Sequence, residues 1–160
     1  MPFPLPEHDH QHCTAELISR AERTCASAGA KLTGQRLTVL SCVARSHAAV
    51  GAYDVIDRMA EQGPRPAPIT VYRALDFLLA HGLVHKVESR NAFVACSHAH
   101  GDRPAALLIC EGCGTVAEVD ATEAVERVAA SARAQHFHPT ATLIEMSGRC
   151  AGCAETVVPC

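Results

Sequence analysis

The sequence predicts an α+β chain of two domains: a helical N-terminal domain that ends in a β-hairpin, and a smaller α/β domain that carries a zinc site. Three observations predict this fold. Apolar residues recur at helical spacing through the first half, and alternating runs typical of strands follow residue 83. Four of the nine cysteines form two Cys-x-x-Cys pairs in the second half, a spacing typical of zinc sites.

Three helices are predicted before the first linker. Thr14 can cap the first helix, which runs to about Ala28, Thr33 can cap the second, and the third covers 52–61. Residues 1–13 are predicted to be a flexible tail, because a Pro-rich, polar terminus is more often disordered than chelating. The metal-binding side chains in that tail are His8, His10, His12 and Cys13.

The fourth predicted helix comes after a Gly- and Pro-rich linker at 63–68, which cannot be helical. Thr70 can cap this helix, which ends near Gly82. Its apolar stripe consists of Val71, Leu75, Leu78 and Leu79. At 100° per residue Arg73 projects from the opposite side. A lone exposed arginine is usually only solvated, so the role of Arg73 depends on the element that the chain forms after this helix.

A β-hairpin is predicted directly after the fourth helix, because 83–88 and 92–96 are alternating runs. Helices followed by a hairpin make a winged helix, in which the last helix enters the major groove of DNA. Arg73 is therefore a candidate for guanine contact, and Tyr72 for contact with a phosphate or a thymine methyl group. The candidate phosphate contacts are Lys31, Arg36, Lys86 and Arg90.

Charge supports this division of the chain only weakly. Residues 13–96 hold ten Lys/Arg against seven Asp/Glu, a balance of +3, whereas residues 97–160 hold four against eight, a balance of −4. The asymmetry favours a nucleic-acid partner for the first half.

The two cysteine pairs are Cys110 with Cys113 and Cys150 with Cys153, each with a glycine in its knuckle. Four thiolates satisfy a tetrahedral zinc and leave no open position, so the predicted role is structural. A redox dithiol is the alternative, but it would not need a second copy. A zinc deaminase is excluded, because neither pair follows a proline and the chain contains no His-x-Glu.

Several classes of protein are excluded by what the sequence does not contain. It has no nucleophile elbow, no phosphate-binding loop and no metalloprotease motif, so an enzyme is not expected. Its apolar stretches are much shorter than the roughly 20 residues that span a bilayer. The N-terminus lacks the basic start and apolar run of a signal peptide, so we expect a cytoplasmic protein.

Five motifs occur in the same order as in a known family. They are Thr33–Leu37, Ala52–Asp54, Thr70–Leu78, Gly82–Glu88 and Ile109–Gly114. Over about residues 14–153 the chain resembles the ferric uptake regulator (Fur) family, and the run 70–88 is most similar to its zinc-sensing branch, the zinc uptake regulators. The resemblance implies a homodimer whose DNA-binding domain covers 14–96, with a hinge at 97–104 and a dimerisation domain at 105–160.

The dimerisation domain is expected to contain three strands, near 106–110, 115–119 and 140–146. A helix lies between the last two. Its apolar stripe, suited to packing on a sheet, consists of Val125, Val128, Ala129 and Ala132.

A second, regulatory zinc site is expected beside the hairpin. If the hairpin turns through residues 90–91, His85 faces Cys96, close enough to share a metal. The resemblance implies that the other ligands are His100, with His98 as the alternative, and Glu118. A soft thiolate ligand favours zinc over iron or manganese. From the residues alone, a half-buried histidine beside a packing cysteine is the simpler interpretation of this pair.

The resemblance implies a zinc-responsive repressor with about two zinc ions per chain, one structural and one regulatory. Zinc would favour the dimer orientation that fits an inverted-repeat, A·T-rich operator in double-stranded DNA, and the repressed genes would be those of zinc uptake. Two alternatives stay open. One is a Fur-family sensor of another divalent metal, and the other is a structural zinc-ribbon module that binds protein.

Overall fold

A computed structural model describes residues 3, 10–96 and 104–154. His8, His98 and His100 lie outside the described residues. The elements in chain order are α1 (His10–Ser27), α2 (Gly34–Val43), α3 (Ala52–Ala60), α4 (Pro68–Ala80), β1 (Val84–Val87), a 3₁₀ turn (Glu88–Arg90), β2 (Ala92–Ala95), β3 (Ala105–Cys110), β4 (Val116–Asp120), α5 (Thr122–Ala134), β5 (Ile144–Gly148) and α6 (Ala151–Ala154). Among these residues, none of the helices is both long and apolar enough to cross a membrane.

The N-terminal domain is built around α2, α3 and α4. Leu40, Ile56, Leu75 and Leu78 are all fully buried in one cluster, so α4 is held by its apolar stripe, as the sequence predicted. Burying each such side chain contributes about 1.5 to 3 kcal/mol. The predicted cap of α2 is confirmed, because the Thr33 hydroxyl accepts a hydrogen bond from the Arg36 amide at 3.4 Å.

Two predicted helix starts are wrong. α1 begins at His10 instead of after Thr14, whose hydroxyl donates to the His10 carbonyl at 2.9 Å from within the helix, so α1 includes 10–13 of the predicted tail. α4 begins at Pro68, and its N-cap is Ala67 rather than Thr70. Proline is favoured in the first turn of a helix because that turn has no partner for a backbone N–H.

The hairpin has a different register from the predicted one. His85 faces Val94 instead of Cys96, and Lys86 faces Phe93. The cause is the connection, which is four residues long rather than two: the 3₁₀ turn is followed by Asn91, whose φ of 46° lies in the left-handed region that asparagine tolerates. The register therefore shifts by two residues, which leaves every side chain on its predicted face.

The C-terminal domain contains a three-stranded sheet in the order β4-β3-β5, with β3 antiparallel to β4 and parallel to β5. The third strand begins at Ile144, so the predicted stretch 140–143 is not strand. The apolar stripe predicted for α5 is only partly covered within the described residues. No residue of α5 is fully buried: Val128 is 61% exposed, whereas Val125, Ala129 and Ala132 are half-buried.

The two domains share an apolar cluster and several polar contacts. Val87 and Val94 of the hairpin pack with sheet residues Leu107, Ile109 and Val116. At the tip of the hairpin, the Glu145 carboxylate of β5 accepts hydrogen bonds from the amides of Glu88 at 2.6 Å and Ser89 at 3.1 Å.

A backbone contact joins the loop after α2 to β4. The Val116 amide donates to the His47 carbonyl at 2.8 Å, and Ala48 bridges to Thr115. The hairpin and this loop therefore hold the N-terminal domain against the sheet.

Candidate metal centres and nucleic-acid interface

The four-cysteine cluster lies where β3 ends and α6 begins. Cys110 is the last residue of β3, Cys113 follows in the turn, and Cys150 and Cys153 flank the start of α6. The four Sγ atoms lie within 4.8 Å of one another, and those of Cys113 and Cys150 are 3.9 Å apart. A tetrahedron with Zn–S bonds of 2.3 Å requires about 3.8 Å between sulfurs. The donor set and its spacing fit zinc.

The knuckle between the first two cysteines leaves no room for a side chain. A Cβ atom on Gly112 would lie 2.8 Å from the Cys153 Sγ, so only glycine lets the backbone approach that sulfur. Backbone amides around the cluster also donate hydrogen bonds to the Cys110 sulfur. Hydrogen bonds from the amides of Cys150, at 3.3 Å, and Cys113 lower the pKa of Cys110 to about 6. Neighbouring thiols, first Cys150 and then Cys110, raise the pKa of Cys153 to about 12. The cluster thus holds part of the negative charge that zinc would neutralise.

The second cluster joins three elements of the two domains. His85 is on β1, Cys96 directly follows β2, and Glu118 is on β4. The His85 Nε2 lies 3.2 Å from the Glu118 Oε2, and the Cys96 thiol donates to the same oxygen at 3.6 Å. One ligand atom from each residue lies within 4.8 Å of the others. The set of one nitrogen, one sulfur and one oxygen is suited to zinc.

The hairpin brings His85 and Cys96 together diagonally. Cys96 is two residues beyond Val94, the partner of His85, so it lies on the same face of the hairpin. Diagonal neighbours are about 7 to 8 Å apart at the backbone, within reach of an imidazole ring. His85 and Cys96 are therefore close even though the predicted register was wrong. The fourth expected ligand, His100 or His98, lies outside the described residues.

The electrostatics of this cluster are unusual. Glu118 is 6% exposed and is the one charged side chain that the fold buries among the described residues. Burial lowers the pKa of His85, but hydrogen bonds to Cys96 and Glu118 and the negative charge of Glu118 outweigh it and raise that pKa to about 10. Without metal, a proton on His85 balances the buried carboxylate. A divalent cation could replace that proton.

Two of the predicted DNA-contacting residues, Tyr72 and Arg73, lie on the exposed face of α4. Tyr72 and Arg73 are exposed, while Val71 and Ala74 beside them are buried. Two large exposed side chains were given no individual role from the sequence: Tyr53 on α3, 63% exposed, and Ile69 on α4, 59% exposed. The sequence could have indicated both residues, because each is a large apolar side chain on the polar side of its helix.

The four candidate phosphate contacts differ in their surroundings. Lys31 and Arg90 are exposed. Arg36 donates to the Lys31 carbonyl at 2.5 Å and lies 3.5 Å above the centre of the Phe77 ring, so it braces α2 against α4. Lys86 forms an ion pair with Glu88 at 2.7 Å.

Comparisons with known proteins agree with this geometry. The model of the ferric uptake regulator family matches residues 27–147. The zinc uptake regulation protein of Escherichia coli (strain K12) is 44% identical over 146 residues, which cover 89% of this chain and 84% of that protein. A structure of a zinc uptake regulator complexed with zinc and DNA is 41% identical and has a TM-score of 0.83, covering 89% of this chain and 95% of that one.

A third relative, XcZur, has been solved in two states, each 41% identical to this chain. The holo crystal structure has a TM-score of 0.81 and covers 88% of this chain and 99% of that one. The apo structure has a TM-score of 0.52 and covers 89% and 99%. The two structures match this chain with the same identity and nearly the same coverage, so the lower TM-score of the apo structure indicates a different arrangement of its parts. The arrangement found here is similar to that of the holo structure. The family model and these relatives extend over most of the sequence, and the chain belongs to the ferric uptake regulator family.

Proposed function

We propose that this chain is a cytoplasmic, zinc-responsive transcriptional repressor that binds operator DNA as a homodimer when loaded with zinc and represses zinc-uptake genes. The observation that carries the proposal is the cluster of His85, Cys96 and Glu118, which joins the winged helix to the sheet of the second domain. The similarity to the zinc uptake regulation protein of E. coli and to a regulator solved with zinc and DNA supports it. The chain is a regulator and not an enzyme.

The proposed switch acts on the orientation of the winged helix. Bound zinc would hold nitrogen, sulfur and oxygen ligands together where His85 otherwise carries a proton. His85 and Cys96 then fix the hairpin, and Glu118 fixes it to β4. This contact favours one orientation among those that the metal-free dimer samples, and only that orientation fits two half-sites of the operator. We assign one regulatory zinc to this site and one structural zinc to the four cysteines, or two per chain.

The homodimer is proposed to form through the second domain. Val128, Leu143 and Met146 are each more than half exposed there. Within the part of the chain that the structure describes, β5 lies at one edge of its sheet. An exposed apolar surface of this kind is typical of an interface. The dimer would present two α4 helices to successive major grooves of the duplex, with Arg73 and Tyr72 toward the bases and the backbone.

Zinc content and DNA binding, measured on the same variants, test the proposal. Cys96→Ser should stay folded and keep one tightly held zinc but lose the second, and zinc should no longer switch on operator binding. Cys42→Ser is the matched control, because Cys42 is buried in α2 outside both clusters. A Cys96→Ser protein that keeps two zinc ions and responds like the wild type would refute the site.

The alternatives give different outcomes in the same assay. A gel shift at a stated salt concentration, with zinc and with chelator, should show binding only with zinc. A structural zinc-ribbon module would bind no operator in either condition. A sensor of iron or manganese would respond to those ions below the concentration at which it responds to zinc.

A further inference from the structure

An arginine of α1 contacts the backbone of one candidate ligand of the regulatory site. Arg20 is half-buried, and its guanidinium donates a hydrogen bond to the backbone carbonyl of Cys96, 76 positions further along the chain. Leu17, one turn before Arg20, and Ala21, directly after it, are buried in the core of the N-terminal domain. Arg20 therefore reaches Cys96 from a helix that the core holds in place.

Cys96 lies just past the paired part of the hairpin. The last pair of the β1–β2 ladder is Val84 with Ala95. Beyond that pair, the Cys96 amide donates to the Leu83 carbonyl at 3.0 Å, and the Cys96 carbonyl accepts from Arg20. Because each peptide unit is planar, anchoring the groups on both sides of the Cα atom restricts both backbone dihedrals of Cys96. The direction of its thiol is restricted with them.

That direction brings the thiol to the other candidate ligands. The Cys96 thiol donates to the buried Glu118 carboxylate at 3.6 Å, and a ligand atom of His85 lies within 4.8 Å of both. Groups that orient a ligand without touching the metal typically change metal affinity by about 10- to 100-fold when they are removed. Because Arg20 contacts the backbone of Cys96 rather than its sulfur, we expect an effect at the lower end of that range.

We propose that Arg20 is a positioning residue of the regulatory metal site, and that its hydrogen bond to the Cys96 carbonyl holds the thiol ready for zinc. The proposal rests on the proposed function, because it requires the cluster of His85, Cys96 and Glu118 to bind metal. A ligand that is already ordered loses less conformational freedom on binding, so the contact increases metal affinity. It gives α1 a part in the response to metal.

Titration of the full-length protein with Co²⁺, after the four-cysteine site has been filled with zinc, tests the proposal. A thiolate ligand gives bound Co²⁺ a charge-transfer absorption band, so binding by Cys96 can be followed directly. Arg20→Met keeps a long side chain but no donor, and its Kd for Co²⁺ should rise about tenfold. Arg20→Lys restores a charged donor and should recover most of the affinity. The matched control is Arg23→Met, which removes an exposed arginine of α1 that donates to the Ser19 hydroxyl at 2.6 Å and should leave the Kd unchanged.

Circular dichroism identifies the variants that are folded at the titration temperature, and Arg20→Ala takes the place of Arg20→Met if the latter is not. A merely structural role for Arg20 would lower the melting temperature and leave the Kd of the folded protein unchanged. An Arg20→Met protein that binds Co²⁺ like the wild type therefore overturns the proposal, and so does an Arg20→Lys protein as weak as Arg20→Met.

The Cys96→Ser variant separates this proposal from the proposed function, because it should give no thiolate band. If the wild type gives no such band either, the regulatory site fails and the role of Arg20 fails with it. If the band is present in the wild type, absent in Cys96→Ser and unaffected by Arg20→Met, only the role of Arg20 fails.

Discussion

Glu145→Gln tests whether the contact at the tip of the hairpin contributes to the DNA-competent orientation. The Glu145 carboxylate accepts two amide hydrogen bonds, from Glu88 and Ser89, and is the point where β5 holds the hairpin. Burial raises the pKa of the Glu145 carboxyl, but hydrogen bonds from the Ser89 side chain and from the Ser89 and Glu88 amides outweigh it and lower that pKa, so the group is ionised at neutral pH. Glutamine has nearly the same shape but no charge and only one acceptor oxygen.

The free energy lost in Glu145→Gln can be estimated from the kind of hydrogen bond that the substitution removes. A hydrogen bond to a charged group is worth about 1.5 to 3 kcal/mol, and partial solvent exposure reduces that value. Losing the charge and one of two such bonds should cost about 1 to 2 kcal/mol of the contact between domains. That corresponds to a factor of about 5 to 30 in the population of the competent orientation.

Operator binding by fluorescence anisotropy at increasing free zinc is the assay. The free zinc at half-maximal binding should rise for Glu145→Gln by about that factor, because coupled equilibria require more metal to restore the same orientation. The zinc content at saturation should stay unchanged. Glu22→Gln, an exposed carboxylate on α1, is the control. If Glu145→Gln responds to zinc like the wild type, Glu145 does not hold the orientation and the reasoning is refuted.

Three further outcomes are expected. Cys113→Ser should lose the structural zinc and the dimer, because metal-binding free energy in such sites is folding free energy; a stable dimer in sedimentation would contradict this. Arg73→Ala should cost about 1 to 3 kcal/mol of operator-binding free energy and reduce discrimination between bases at one base pair per half-site. Lys86→Ala should instead weaken binding to all DNA sequences alike and reduce its salt dependence. Binding isotherms over operators with single-base changes distinguish the two outcomes. His85, with its pKa of about 10, must release a proton to bind zinc. Zinc binding at the regulatory site should therefore tighten as the pH rises from 6 to 8. Calorimetry in buffers that differ in ionisation enthalpy should detect the released proton.

The sequence predicted most elements of the fold because their signals are local. The apolar stripe of α4 and the cap at Thr33 depend on residues within a few turns. The start of α4 was misplaced because Thr70 is a good capping residue by type, but Pro68 had already begun the helix. The hairpin register depended on one residue, Asn91, whose left-handed backbone lengthened the turn.

The candidate sites were predictable to different degrees for the same reason. The four cysteines carry their spacing in the sequence, whereas Glu118 lies in another domain and required the family resemblance. The contact of Glu145 with the hairpin gave no signal at all, because it joins residues 57 positions apart through backbone amides.

The four sulfurs of the structural cluster are not equally shielded. Cys110 is fully buried, whereas Cys113 is exposed at the surface of the turn. An oxidant or a competing chelator therefore reaches Cys113 first, and thiolate chemistry makes exposed sulfur the preferred target. Oxidation at that single atom would open the coordination sphere and release the metal that folds the second domain. Loss of that zinc would then disable the proposed repressor even when zinc is plentiful, by a route separate from the regulatory site.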